Sequence, residues 1–87
     1  MKLIVFTEAS CRPCAMVKTL AERFAKRFDL EFEAIPAEFN RELFAKWDVC
    51  GVPTVVIADG DKKIGYFTGS QTESSFENNL RKLKVIE

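Results

Sequence analysis

The sequence predicts a single α/β domain over residues 1–87, with element order β-α-β-α-β-β-α and a four-stranded mixed sheet flanked by helices. Three observations predict it. Apolar residues switch repeatedly between strand-like and helix-like spacing along the chain. An Asp-Gly dipeptide, suited to a tight hairpin, separates the last two strand-like runs. A chain of 87 residues also falls short of the usual domain size of ~100–150 residues, so it can build only one modest core.

The elements follow in order. Leu3-Ile4-Val5-Phe6 is apolar on both faces and reads as a central strand. From Pro13 onward, Val17, Leu20, Ala21, Phe24 and Phe28 recur at steps of three and four, the stripe of an amphipathic helix. The mixed Lys, Arg and Glu residues from Lys18 to Lys26 form its solvated face. Leu30, Phe32 and Ala34 alternate with Glu31 and Glu33, a half-buried strand that stops near Pro36. Phe39, Leu43, Phe44 and Trp47 predict a second amphipathic helix with Trp47 in the core. Thr54 to Ala58 is a β-branched strand, Asp59-Gly60 the turn, and Lys62 to Phe67 the antiparallel return, with Tyr66 on the sheet surface. Ser70-Gln71-Thr72-Glu73 has the form of a capping box, and Phe76, Leu80 and Leu83 mark the buried face of the last helix.

Composition removes several function classes. Thirteen basic and thirteen acidic residues cancel, leaving no basic stripe for nucleic acid. No apolar run approaches the ~18–20 residues that span a bilayer. Met1-Lys2 followed by four apolar residues is too short for a signal-peptide core, so a cytoplasmic location is expected. Three cysteines are an odd number for a secreted disulfide framework. With no histidine, Cys11, Cys14 and Cys50 fall one short of a four-Cys metal site.

The chemistry concentrates in Cys11-Arg12-Pro13-Cys14, where the first strand ends and the first helix begins. Unpaired N–H groups and the positive end of the helix dipole stabilise a thiolate at Cys11. The spacing brings both sulfurs to one side of the first turn. Pro13 fits there because its missing N–H would have no intrahelical partner. Arg12 adds a full positive charge beside Cys11, so an Arg12→Gly variant should be the stronger reductant. The alternative reading is a pair of buried small residues, or half a metal site shared between two chains.

Over essentially its full length the sequence resembles the thioredoxin/glutaredoxin superfamily, and specifically its smallest redoxins. The resemblance rests on Phe6 five residues before Cys11, the Cys11-Arg12-Pro13-Cys14 motif, Gly51-Val52-Pro53-Thr54 before the third strand, and Gly69 after the fourth. It implies that Cys11 is the nucleophile attacking a substrate disulfide and Cys14 the resolving thiol. It implies a cis peptide before Pro53, beside the active pair, and a Val52 backbone offered to an extended substrate segment. Disulfide-containing proteins would be the substrates, and thioredoxin reductase or another thiol donor would recharge the pair. No resident cofactor is expected, because so short a chain shows no flavin or nicotinamide site; a monomer is expected.

Departures from the family pattern are equally plain. Ser10 stands where thioredoxins usually carry Trp, and Val5 where they carry a buried Asp that takes a proton from the resolving thiol. Glu8 is the nearest carboxylate, and a solvent-facing structural role is expected for it. Glutaredoxin-type glutathione dependence is the second reading, weakened because Gly69-Ser70-Gln71-Thr72 lacks the paired glycine and acidic residues of that family. Service to a ribonucleotide reductase is a further reading by resemblance, and a metal-binding or scaffold module is the non-enzymatic alternative. Cys50, three residues before Pro53, is expected to be a small buried residue; the alternative is an accessible third thiol that forms mixed disulfides or is a regulatory target.

Overall fold

The computed structural model describes residues 1–86. Its elements are β1 (Lys2–Thr7), α1 (Arg12–Arg27), β2 (Glu31–Pro36), α2 (Arg41–Lys46), β3 (Thr54–Asp59), β4 (Lys62–Thr68) and α3 (Glu73–Lys82). The sheet order is β2-β1-β3-β4. β1 is parallel to β2 and antiparallel to β3, and β3 is antiparallel to β4. The expected element order and mixed four-stranded sheet are therefore both present.

β1 is buried on both faces because it sits between two neighbours and under helices on either side. Leu3 and Val5 point to the α1/α3 face, where they join Val17, Leu20, Phe24, Val55, Ile57, Phe76 and Leu80. Ile4 and Phe6 point the other way, to a smaller core with Ile35, Trp47, Val56 and Ala58 under α2. The period-two alternation of a strand thus divides one apolar run between two cores. Aromatic stacking ties the larger core together. Phe24 and Phe76 stack with centroids 5.1 Å apart, and Phe67 meets Phe76 edge-on at 5.0 Å. Each such pair adds about 0.5–1.5 kcal/mol beyond its buried area.

Four local expectations need correction. Phe39 is not on the buried face of the second helix: α2 starts only at Arg41, and Phe39 is fully exposed with φ +69°. The reason lies in Asn40, whose side-chain amide donates to the carbonyls of Pro36 (2.9 Å) and Glu38 (3.2 Å). That closes residues 36–40 into a turn and swings Phe39 outward, leaving Leu43, Phe44 and Trp47 to cover the sheet. Cys50 is exposed rather than buried, on the connection between α2 and β3. The cap of α3 lies two residues later than expected. Thr72 is the N-cap; its Oγ1 accepts from the Ser75 N–H, while Ser75 Oγ accepts from the Thr72 N–H. Finally, Asp59 pairs with Lys62, so the two-residue turn is Gly60-Asp61. Positive φ falls on Gly60 alone (+64°), the pattern of a type II′ turn.

The register of β4 shifts between Ile57 and Ala58, which pair with Gly65 and Lys63, so Ile64 is an extra residue that bulges the strand. Just beyond it, Leu83 sits over Gly65 so closely that a Cβ there would meet its Cδ2 at 2.5 Å. Among the described residues no helix is long and apolar enough to cross a membrane.

Candidate active site

The strand register gathers four loops at one end of the sheet. Phe6 lies opposite Thr54, Thr7 opposite Pro36, and Thr54 opposite Thr68. The chain leaving β1 toward Cys11, the chain leaving β2 toward Phe39, the Val52-Pro53 segment entering β3 and Gly69 leaving β4 therefore all emerge together. Residues far apart in sequence meet there because alternating strand directions leave them nowhere else to go.

Cys11 is the N-cap of α1, in extended backbone conformation, with Arg12 at the first helical position and Pro13 at the second. Its side chain makes no capping hydrogen bond, and the first turn contains no acidic residue. Cys11 and Cys14 are joined in a disulfide, their Cα atoms 5.4 Å apart. That separation is inherent in three residues of a helix's first turn and lies inside the ordinary disulfide range. The two sulfurs occupy different environments. Cys11 is half-buried, whereas Cys14 retains only 3% of its surface. Arg12 is exposed beside them and Pro13 half-buried.

The loop before Cys11 is held by a small set of polar contacts. The Cys11 N–H donates to the Glu8 carbonyl at 3.0 Å, and the Ser10 hydroxyl donates to the Glu8 carboxylate at 2.8 Å. The Ala9 N–H donates to the Glu38 carboxylate at 3.3 Å, and the Ala37 N–H to the Thr7 carbonyl at 2.8 Å. Glu8 itself is exposed. Val5 is fully buried among apolar neighbours, so no carboxylate stands at that point of the sheet.

The peptide before Pro53 is cis. Pro53 is buried and Val52 half-buried, packed against the α2-side core. Two hydrogen bonds hold this segment: Thr54 Oγ1 donates to the Gly51 carbonyl at 2.7 Å, and the Gly69 N–H donates to the Pro53 carbonyl at 3.0 Å. Among the described residues the Val52 backbone makes no hydrogen bond to other backbone. Gly69 has φ +88°, a conformation glycine adopts without steric cost.

Sequence reasoning did not single out Glu38 or Phe39 as part of this end of the molecule. Their only local signal was Asn40, a residue that favours turns through side-chain-to-backbone bonds. Phe44 packs edge-on against Phe6 at 4.9 Å, anchoring α2 under the same loops. Among the described residues no three Cys, Asp or Glu side chains are grouped to hold a metal ion. What the arrangement can do is run a two-electron couple, because a disulfide between two neighbouring cysteines can be reduced to a dithiol and re-formed.

Comparison with known proteins gives the same picture. A family model described as thioredoxin matches residues 1–82. Rice (Oryza sativa subsp. japonica) thioredoxin H2-1 is 31% identical over 75 residues, covering 83% of this chain and 54% of its own length. The chain thus spans about half the length of that relative. A thioredoxin-like protein of Bacillus subtilis strain 168, the SPbeta prophage-derived YosR, is 29% identical over 70 residues, or 79% of this chain and 82% of its own. The solved structure of thioredoxin 1 from the thermophilic eubacterium Thermosipho africanus TCF52B superposes with a TM-score of 0.81 at 30% identity, covering 98% of this chain and 97% of that one. A family match running from Met1 to Lys82 leaves only the C-terminal tail outside it, and the chain belongs to the thioredoxin family.

Proposed function

We propose that the chain is a thiol–disulfide oxidoreductase that reduces protein disulfides through Cys11 and Cys14 and is recharged by an external reductase. One observation carries the reading: a disulfide-joined cysteine pair at a helix N-terminus whose first member is half-buried and whose second is almost wholly buried. In the reduced protein the Cys11 thiolate attacks one sulfur of a substrate disulfide. A Cys11–substrate bond forms, the substrate S–S bond breaks, and the departing thiolate takes a proton from solvent. The Cys14 thiolate then attacks the Cys11 sulfur, which releases the second substrate thiol and restores the Cys11–Cys14 disulfide. Two electrons have passed to the substrate, and thioredoxin reductase or another thiol donor returns two.

The order of attack follows from exposure, since a folded partner can reach the half-buried sulfur and not the sealed one. Arg12 and Pro13 border the pair, and Val52 with cis-Pro53 enters the sheet at the same end. The free backbone of Val52 suits strand-like pairing with an extended substrate segment. With Val5 where a carboxylate would otherwise stand, Cys14 exchanges its proton directly with water.

Two measurements test the reading. Cys14→Ser should accumulate a mixed disulfide with substrate proteins at Cys11, whereas Cys11→Ser should trap none; the reverse pattern would exchange the two roles. Insulin-disulfide reduction should proceed with a thioredoxin reductase as electron source. Turnover supported by glutathione alone would replace that donor assignment with the glutaredoxin-type one.

A further inference from the structure

Phe39 stands apart from every other large apolar residue of the chain. Its side chain is fully exposed, and its backbone has φ +69°. Left-handed backbone costs a non-glycine residue about 1–2 kcal/mol, and a bulky residue there is a genuine outlier. The fold therefore accepts two local penalties at one position, a displayed aromatic ring and a strained backbone, and the Asn40 side chain holds the turn that imposes both.

The position lies at the active-site end. Glu38, its neighbour, accepts from the Ala9 N–H two residues before Cys11. Phe39 forms one wall of a groove of about 560 Å³, together with Glu8, Ala37, Glu38, Arg41 and Phe44. That volume lies within the ~300–1,000 Å³ of ordinary ligand clefts, and the groove abuts the loop that carries the reactive sulfur. Strand order places the Cys11 loop between the Phe39 loop and the Val52-Pro53 segment.

We propose that Phe39 is a docking residue for an apolar side chain of the substrate polypeptide, on the stretch flanking the cysteine that Cys11 attacks. This rests on the disulfide-reductase reading above and names the substrate class for that site. Neighbouring strands ~4.8 Å apart and an extended chain rising ~3.3 Å per residue set a minimum of about two positions between the contacting residue and the substrate cysteine. The occupant is a short segment rather than a second copy of this chain. A Phe ring offers only ~150–250 Å², so two such rings meeting across an axis fall far below the ~1,200–2,000 Å² of a stable interface. A small contact suffices where the partner is also held at Cys11, because the second contact is then intramolecular.

The test uses the reduced full chain and two cysteine peptides, each capped as a mixed disulfide with thionitrobenzoate. One peptide carries Leu three residues from the cysteine, and the other carries Ser. Attack by Cys11 forms the Cys11–peptide bond and expels coloured thionitrobenzoate, so the second-order rate is read directly. Wild type should favour the Leu peptide about tenfold, the usual scale for one apolar contact. Phe39→Ser should bring that ratio close to one, and Phe39→Leu should retain most of it. An equal ratio in wild type and Phe39→Ser overturns the docking role while leaving the redox reading intact. Failure of wild type to release the dye from either peptide overturns the redox reading, and the docking role with it. A wild type that sediments as a dimer while Phe39→Ser sediments as a monomer assigns the ring to a second copy and also overturns the proposal.

Discussion

Removing the charge of Arg12 is the sharpest test of the electrostatic reading of the site. Arg12 is exposed at the first helical position, adjacent to the N-cap cysteine. Adjacent Cα atoms are 3.8 Å apart, and a solvated arginine holds its charge farther out. A separation of ~7 Å at an effective dielectric constant of ~40–80 gives an attraction of about 0.6–1.2 kcal/mol for a Cys11 thiolate. That attraction exists only in the reduced protein, so it stabilises the dithiol state and makes the couple less reducing. At 30 mV for every 1.4 kcal/mol, Arg12→Gln should move the potential about 13–26 mV more negative. Gln is chosen because Gly would also loosen the first helical turn. Equilibration against a series of dithiothreitol redox buffers, with the oxidised fraction read by alkylation, measures the shift. In ~1 M salt, where the Debye length is only ~3 Å, the difference should shrink toward zero. Equal potentials at low salt, a less negative potential for the variant, or a shift indifferent to salt would refute the reasoning.

Other outcomes follow from the packing and the backbone. Phe76→Ala should cost about 3–5 kcal/mol in urea unfolding, a large part of the ~4–13 kcal/mol available to a chain of this length; a loss under 1 kcal/mol would mean the Phe24–Phe76–Phe67 cluster is not the keystone of the larger core. Gly60→Ala should destabilise by about 1–2 kcal/mol because its φ is +64°, whereas Gly51→Ala, with open space around it and no positive φ, should be neutral or slightly stabilising. Lys2→Met should cost only a few tenths of a kcal/mol at neutral pH, since the Lys2–Glu33 pair is exposed. The Glu33 hydrogen bond raises the Lys2 pKa above its ordinary 10.5, so this contribution is complete below pH 10.5 and is lost as pH rises through the higher folded-state value. Parallel urea titrations at pH 7 and in strong alkali would show whether the variant and wild type converge.

Much of this architecture is legible in the sequence, and the reasons are local. α1 announces itself because five apolar residues keep a three-four rhythm from Val17 to Phe28, and β1 because four consecutive apolar residues serve two cores at once. The redox pair was equally readable, since motif, strand end and helix start are contiguous in sequence. Phe39 departs from the expected buried face because it continues the apolar spacing of Leu43, Phe44 and Trp47, and periodicity cannot register that Asn40 turns the chain between them. For Cys50 the structure selects the accessible reading over the buried one, because a small thiol carries little information about burial, which is decided by where the α2–β3 connection runs. The α3 cap slipped by two residues because Ser70, Thr72 and Ser75 are chemically interchangeable as caps; only the path out of Gly69 selects Thr72. The convergence of Glu38 on Ala9, and of Gly69 on Pro53, depends on strand order, which no single segment encodes.

The bulge at Ile64 has a bearing on how the molecule behaves in company. A four-stranded sheet has two open rims, and each is an invitation to a neighbour's strand. On one rim the extra residue throws the hydrogen-bonding groups of β4 out of step midway, and Lys62 and Lys63 stand on the same strand. The opposite rim carries Glu31 and Glu33. A further strand laid along β4 would lose its register at the irregularity. The β4 rim is therefore a poor template for a neighbour's strand.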